Sequence, residues 1–508
     1  VSASGGASGA GGTSGAGGTS GTLGTGPVTI NGTQLTISRS DNPTVANNIS
    51  GYGTISKPGG NTVTYGGTST FAGTVTLATG GWTVNGVMTG VGNLTQNSSN
   101  NSATWNINGV LSASTFQYGA YEGRNWGTTT VTVNINNGAN ATFGAMSISR
   151  IGWSGYSTAN TIVNVNAGGV LTATTIQGVN NDFGAVNTIR PNRYINLNGG
   201  RLNATTINLS QGGDGGTARL ITFNGGTLAS IPPGDLNVDS STVVTLAGSG
   251  TFDPSADRMI TINGVVQSSG TLVKTGRGAL VLNGANTYTG ATAVHDGALI
   301  VAATHTNGGA YTVDGGDLVV TGTVSAVSVT ALYNGMIEGS GVINAPVTAR
   351  NGGILSGTLT ANGLVEIRAG GLIVPGEADG LGTLTAGSAL VISEGGIFHS
   401  RIIGAGAGEC GLIRAQGDVR LDNAVFMPDI TDFAVPTDGA LHVIWLINKE
   451  SAGPISGTFN GVSESATVAL GGKRWHIIYT GDYATGNIGG GNDMAIVGPV
   501  EGTMVIVR

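Results

Sequence analysis

The feature that most limits this chain is a unit that keeps returning: an alternating apolar strand, an Asn or Gly-Gly turn, then a second short strand. It reads WTVNGVMTG at 82–90, WNINGVLSASTF at 105–116, VNVNAGGVLTATTI at 163–176 and INLNGGRLNATTI at 195–207. The glycines that anchor it, Gly86, Gly109, Gly138, Gly169, Gly200 and Gly226, lie 23, 29, 31, 31 and 26 residues apart. Further on, Gly297, Gly316, Gly335, Gly353 and Gly371 follow one another at 19, 19, 18 and 18. A unit of this length cannot bury its own apolar face. Stacking each coil on the last creates one continuous core and pairs every strand with the coils above and below. Glycine at the corner supplies a positive φ and lets backbones approach closely, and the neighbouring Asn tolerates the same conformation. Stacked Asn and Thr are expected to form side-chain ladders. The fold class expected is all-β: a right-handed parallel β-helix closed by a C-terminal β-rich capping module.

Composition agrees. The 508 residues include 92 Gly and are 39% hydrophobic but only 9% charged, with Val, Ile and Leu in short alternating runs. No helical period is sustained. The net charge of −7 is small and dispersed, which argues against nucleic acid as a partner. No stretch approaches the roughly 20 apolar residues of a membrane-spanning helix, so no membrane insertion is expected. The single cysteine, Cys410, forbids an intramolecular disulfide and reads as a buried or incidental thiol, with intermolecular pairing as the alternative. The chain begins at Val1 rather than Met, as after removal of a leader or at the boundary of a segment.

Three regions are expected: a Gly/Ser/Ala/Thr-rich segment at 1–26, a solenoid at 27–395 and a C-terminal β-rich module at 396–508. The first carries no charge and repeats SGAGGT at 8–13 and 14–19. A neighbouring subunit is the preferred holder for so featureless a tract, with packing on its own chain as the alternative. The longer units of the first half leave extra residues that should loop out at 121–127, 149–157 and 178–194. These carry Tyr121, Arg124, Trp126, Trp153, Tyr156, Arg190 and Arg193, the candidate adhesive side chains.

One segment matches more than a generic solenoid. In QSSGTLVKTGRGALVLNGANTYTGATAVHDGALIV at 267–301, Gly270, Leu272, Lys274, Gly276, Gly278, Leu280, Leu282, Gly284, Asn286, Tyr288 and Gly290 keep a fixed spacing. This resembles the autotransporter-associated β-strand repeat found in passenger regions of bacterial autotransporters. A degenerate copy runs through 49–77, with Phe71 where the Tyr would be. The sections at 370–392 and 455–497 resemble the coil and closing module that often follow such repeats. The resemblance implies export to the cell surface or medium and a parallel β-helix, and implies no catalytic activity. A complete autotransporter also carries a membrane barrel of about 12 amphipathic strands. After the closing module only GPVEGTMVIVR remains here, so the barrel was cleaved or lies outside the chain, or export follows another route, which is the preferred expectation.

Catalytic patterns are sparse. Enzymes built on β-helices cluster Asp, Lys and Arg on one face, and glycoside hydrolysis needs two facing carboxylates. The acids of residues 27–260 are isolated, no Asp-Asp pair occurs, and the five histidines show no zinc-type spacing. The chain therefore reads as a non-enzyme without a cofactor. Ca²⁺ is the one candidate considered, because GGGNDMAIV at 489–497 resembles the nonapeptide of stacked calcium-binding rolls. Such sites need successive copies, and one is present.

A solenoid exposes unpaired backbone groups at both ends. The last segment, with Met504, Val505, Ile506, Val507 and Arg508, is apolar and lacks any polar guard except Arg508. Together with the Gly/Ser tract it would suit head-to-tail strand addition. The expected function is a secreted, extracellular or bacterial cell-surface structural solenoid that forms a homo-oligomer or polymer: a filament, sheath or surface layer. The alternative is an adhesin that presents its loops to a surface glycan or host surface.

Overall fold

The structure, a computed structural model, describes residues 2–4, 7–9, 23–97, 102–120, 128–151, 158–178, 190–210, 218–377 and 380–499. The described residues are strands, turns and extended connections, with no helix. The fold is a parallel β-solenoid, and the chain divides into two compact units, Val1–Gly270 and Thr271–Arg508.

In the first unit each coil supplies one strand to one face and, to the other, either one long strand or two short ones such as Thr68–Phe71 with Thr74–Leu77 and Thr227–Ser230 with Leu236–Val238. One face is a ladder of ten strands, from Thr44–Val45 through Ala103–Ile107, Thr158–Asn166 and Arg190–Asn198 to Val266–Gln267. Its described pairings are all parallel. The other face begins with Val28–Thr36 and Ile49–Lys57 and passes through Val87–Asn97, Val110–Ala120, Asn140–Ile151 and Val170–Gly178 to Arg201–Asn208. Alternation sets which side chains meet inside. Ile195, Leu197, Leu202 and Ala204 are fully buried while Asn196 and Asn203 between them face out.

The second unit has three strands per coil. Thr292–Val294 pairs with 311–313, 311–313 with 329–331, 329–331 with Val347–Ala349, and Val347–Ala349 with Val365–Ile367. Asp317–Val320, Met336–Gly339, Ile354–Gly357 and Leu372–Pro375 form the second side, and Thr323–Leu332, Val342–Asn344 and Thr360–Ala361 contribute to the third. The tighter glycine spacing of this half is the length of a three-sided coil without extra loops. Parallel pairing continues to Ser456–Thr458. His442–Lys449 then takes Asp493–Gly498 antiparallel, followed by Lys473–Gly481 and Thr467–Leu470, a meander that closes over Ile478, Ala495 and Val497.

The corner glycines divide their expected work between neighbours. At the 199–200 corner Gly199 holds φ +79°, while Gly200 does not take a left-handed φ. A Cβ on Gly200 would instead meet the Asn166 carbonyl oxygen of the previous coil at 2.5 Å. Most anchoring glycines are therefore needed for close approach, and the residue just before supplies the turn.

Two described pieces of the Gly/Ser tract pair with their own chain. Ser2–Ser4 pairs antiparallel with Thr36, Leu35 and Gln34, and Ala7–Gly9 with Ile30, Thr29 and Val28. The expected neighbouring subunit is not required for this, because the first coil offers an open strand edge within reach.

Candidate functional site

Three of the chain's four lysines are buried, each as the inward-facing last residue of a strand. Lys274 Nζ donates to the carbonyls of Thr275 at 2.8 Å, Gly276 at 2.7 Å and Asp296, one coil on, at 2.8 Å. Lys57, in the degenerate copy, donates to the Gly59 carbonyl and, one coil on, to Thr79 at 2.7 Å. Lys449 donates to Ser451, Ala452 and Gly453 at 2.8, 3.1 and 2.8 Å. The repeat's lysine is thus a staple: its ammonium gathers the carbonyls that a tight turn directs inward. Burial pulls the Lys57 pKa down to about 8, which still leaves it charged at neutral pH.

The repeat's tyrosine organises a second buried network. Tyr288 and His305 stack with ring centroids 4.0 Å apart, and Tyr288 hydroxyl lies 2.8 Å from Thr292 Oγ1 and 3.3 Å from Tyr311 hydroxyl. His305 Nδ1 is 2.5 Å from Tyr311 hydroxyl, and Nε2 is 2.7 Å from the Tyr288 carbonyl. A carbonyl can only accept, so Nε2 carries the proton and Nδ1 accepts from Tyr311. Burial pushes the Tyr288 pKa up to about 12 and that of Tyr311 well above its usual value, so both stay neutral. Burial also lowers the His305 pKa. Its neutral form is the one that folding favours, so this stability is complete above the unfolded value of about 6.5 and falls as pH drops through the lower folded pKa. Chemical denaturation between about pH 5 and 8 is expected to show wild type weakening toward acid, with a flatter profile for His305→Gln.

The outward side of the ten-stranded ladder carries the most ordered surface array. Asn134 Nδ2 donates to Asn106 Oδ1 at 2.8 Å, Asn164 to Asn134 at 2.8 Å and Asn196 to Asn164 at 2.9 Å. At the adjoining corner Asn108, Asn136, Asn166 and Asn198 continue a ladder that starts at Asn85. A third rung joins Asn192 to Asn160 at 3.0 Å. Between the rung at 160/192 and the ladder at 164/196 runs a column of half-buried apolar side chains. Ile162 pairs with Tyr194, Tyr194 with Leu220, and Leu220 with Val243. Toward lower-numbered coils the same column is Thr132 and Thr104. Three arginines belong to this ladder: Arg193 is buried, the half-buried Arg219 pairs with it in register, and Arg190 begins the strand Arg190–Asn198.

Of the expected adhesive residues, Arg193 is corrected. It belongs to the strand Arg190–Asn198 rather than to a loop, and its side chain is fully buried. Its Nη1 donates to the Leu209 carbonyl at 2.5 Å and its Nε to Ile148 at 3.3 Å. The alternation that turns Asn192 and Tyr194 outward turns Arg193 in, and main-chain carbonyls solvate the guanidinium. Arg190 begins the same strand. Tyr121, Arg124, Trp126, Trp153 and Tyr156, and Met504, Val505, Ile506, Val507 and Arg508, lie outside the described residues.

Among the described residues, no three His, Cys, Asp or Glu side chains gather as a metal site would require. Asp493, from the glycine-rich nonapeptide, accepts from the backbone N–H of Lys449 at 2.6 Å and of Tyr483 at 2.7 Å, so it clamps the closing meander. A cleft of about 470 Å³ beside the first coil is lined by Leu23, Ile37, Pro43 and Asn47, and its Arg39 and Asp41 pair with each other at 2.6 Å. Cys410 is half-buried and its thiol donates to the Trp445 carbonyl at 3.2 Å. Burial raises its pKa to about 11, which makes it a poor nucleophile.

Residues 272–301 match the family model of the passenger-associated-transport-repeat, the segment read from its lysine, tyrosine and glycine spacing. No curated protein and no solved structure matches the chain.

Proposed function

We propose that the chain is an extracellular, non-enzymatic structural solenoid whose copies join end to end by strand addition. The passenger-associated-transport-repeat and the β-solenoid fold support a place at the cell surface or beyond it. The observation that carries the assembly is the edge of the first coil, where Val28–Thr36 accepts antiparallel strands from Ser2–Ser4 and Ala7–Gly9. Serine, alanine and glycine bring almost no apolar surface, so main-chain hydrogen bonds alone hold those strands. The segment TMVIVR at 503–508 is richer in β-branched residues and would bind the same edge more tightly. Deleting residues 1–22 should free the edge and raise the polymer fraction in sedimentation and electron microscopy. Deleting 503–508 should leave monomers. Monomers from the full chain and from the 1–22 deletion, at high concentration, would overturn the proposal.

A further inference from the structure

From the second unit we infer that two copies of this chain pair side to side through the outward face of the strands that run from Ala279–Leu282 to Leu372–Pro375, and that acid closes the pair. Six strands build this face: Ala279–Leu282, Ala298–Val301, Asp317–Val320, Met336–Gly339, Ile354–Gly357 and Leu372–Pro375. They lie in register, so their outward residues form two straight columns. One reads Ala279, Ala298, Asp317, Met336, Ile354 and Leu372, each half-buried, while the residues that alternate with them point into the core. The other lies two residues on, from Val281 to Val374, and is apolar except at Glu338 and Ser356. A flat apolar face of this extent marks an interaction surface.

Its shape fits a second copy. Sheets pack face to face with their strands roughly aligned, and a two-fold axis is the commonest way for identical chains to meet. Place that axis along the strands, between the rows of Asp317 and Met336. Ala279 then faces Leu372 of the other copy, Ala298 faces Ile354, and Ile300 faces Ser356. At each of these points a small side chain receives a large one, which is how packed layers interdigitate. Six coils about 4.8 Å apart give a face about 29 Å long and about 13 Å wide, roughly 400 Å² per copy. That is small for a permanent dimer and suits a reversible one.

Charge supplies the control. The same axis gathers Asp317 and Glu338 of both copies into one group of four carboxylates. Neither has a cation or a hydrogen-bond donor of its own among the described residues. Burial raises the pKa of Asp317; burial, then the nearby charges of Asp317 and Glu377, raises that of Glu338. The charged groups around the face have other partners. Thr358 donates to Glu377 at 2.9 Å, the Gly297 N–H donates to Asp296 at 2.8 Å, and His295 holds Asp314 at 2.5 Å. Beyond Leu372–Pro375, His399 attracts Asp429, and Arg401 holds Asp432 at 2.5 Å. Arg277 is exposed in the turn before Ala279. Four ionised carboxylates in a drying contact repel, and protonation removes the repulsion. Closing buries them further, so the pair binds more protons than two separate copies and tightens as pH falls. Like charges in the middle of an apolar face keep the copies apart at neutral pH.

Sedimentation velocity of the full chain should show an association constant that rises at least about tenfold from about pH 7.5 to about pH 4.5, the effect of one net unit of pKa shift spread over four carboxylates. Asp317→Asn/Glu338→Gln should pair at the higher pH as wild type does at the lower one, and respond little to acid. Ile354→Arg keeps its charge throughout and should stay unpaired. Circular dichroism checks its fold, and Ala298→Lys makes the same test from the facing position. Wild-type association that ignores acid, or an Asn/Gln variant that stays monomeric at the higher pH, would overturn the inference. So would acid-driven association that persists in the folded Arg or Lys variant, which would trace it to the falling net charge. Monomers that acid instead brings onto phosphatidylcholine vesicles would make the face a lipid contact and sink the pairing as well. The pair closes at two copies, whereas end-to-end strand addition is open-ended and uses other residues, so either proposal can fail while the other stands.

Discussion

Trypsin is expected to cut after Arg277 about 100-fold faster in Lys274→Met than in wild type, the equivalent of about 3 kcal/mol of local stability. Arg277 is exposed in the turn that follows Lys274. The enzyme reaches its bond only when the turn opens, so the rate reports the local opening equilibrium. Methionine fills much the same volume but has no donor. The carbonyls of Thr275, Gly276 and Asp296 then lose the ammonium they accept from. Each hydrogen bond to a charged group contributes about 1.5–3 kcal/mol, and three are removed. Against that, the desolvation of a buried ammonium, several kcal/mol, is no longer incurred. The difference leaves a clear net loss. An unchanged cutting rate would show that the carbonyls are solvated without the lysine, and that the repeat's lysine is not a staple.

The second large effect comes from two neighbouring glycines that differ in their reasons. A Cβ on Gly353 would lie 2.1 Å from the Ala331 carbonyl oxygen and 2.3 Å from its carbon, both backbone atoms of the previous coil. Backbone held by its own ladder cannot step aside, so Gly353→Ala must lift one coil from the next. We expect a loss above about 3 kcal/mol, at the upper end of overpacking effects. Gly352 holds φ +86° and a Cβ there would meet Asn334 Oδ1 at 3.4 Å and the Asn334 backbone nitrogen at 3.5 Å, both without overlap. Gly352→Ala therefore carries the left-handed backbone penalty alone, about 1–2 kcal/mol. Guanidinium denaturation of both variants should rank Gly353→Ala well below Gly352→Ala. The reverse order would mean that coil spacing relaxes more easily than turn geometry.

The same glycines show how far the sequence could be read. Their spacing carries the architecture, because a short apolar unit can only hide its face by stacking. It does not reveal which glycine of a pair turns and which makes room, since that depends on the coil beneath. Lys274 and Lys57 are legible as motif positions, but their burial is not, because a lysine's charge argues for the surface until the carbonyls that receive it are in view. Arg193 was misread for the same reason: its RPNRY setting looks like a loop, and only the register with Thr161 and Arg219 turns it inward. The strip from Ile162 to Val243 was missed because the coils differ in length, which scatters its members through the sequence. Aligning the coils on Asn106, Asn134, Asn164 and Asn196 would have exposed part of it, since the position two residues earlier reads Thr104, Thr132, Ile162 and Tyr194.

Stapled lysines also change how the surface answers to chemistry. Composition promises four primary amines on side chains, yet Lys57, Lys274 and Lys449 have theirs turned inward, and only Lys473, at the hairpin between Thr467–Leu470 and Lys473–Gly481, stands exposed. Among the lysines, acylating dyes, biotin esters and amine-coupled supports therefore meet one accessible side chain. Through its lysines, a reagent usually thought indiscriminate would tether the folded chain by its closing hairpin, the α-amino group being the other amine open to it.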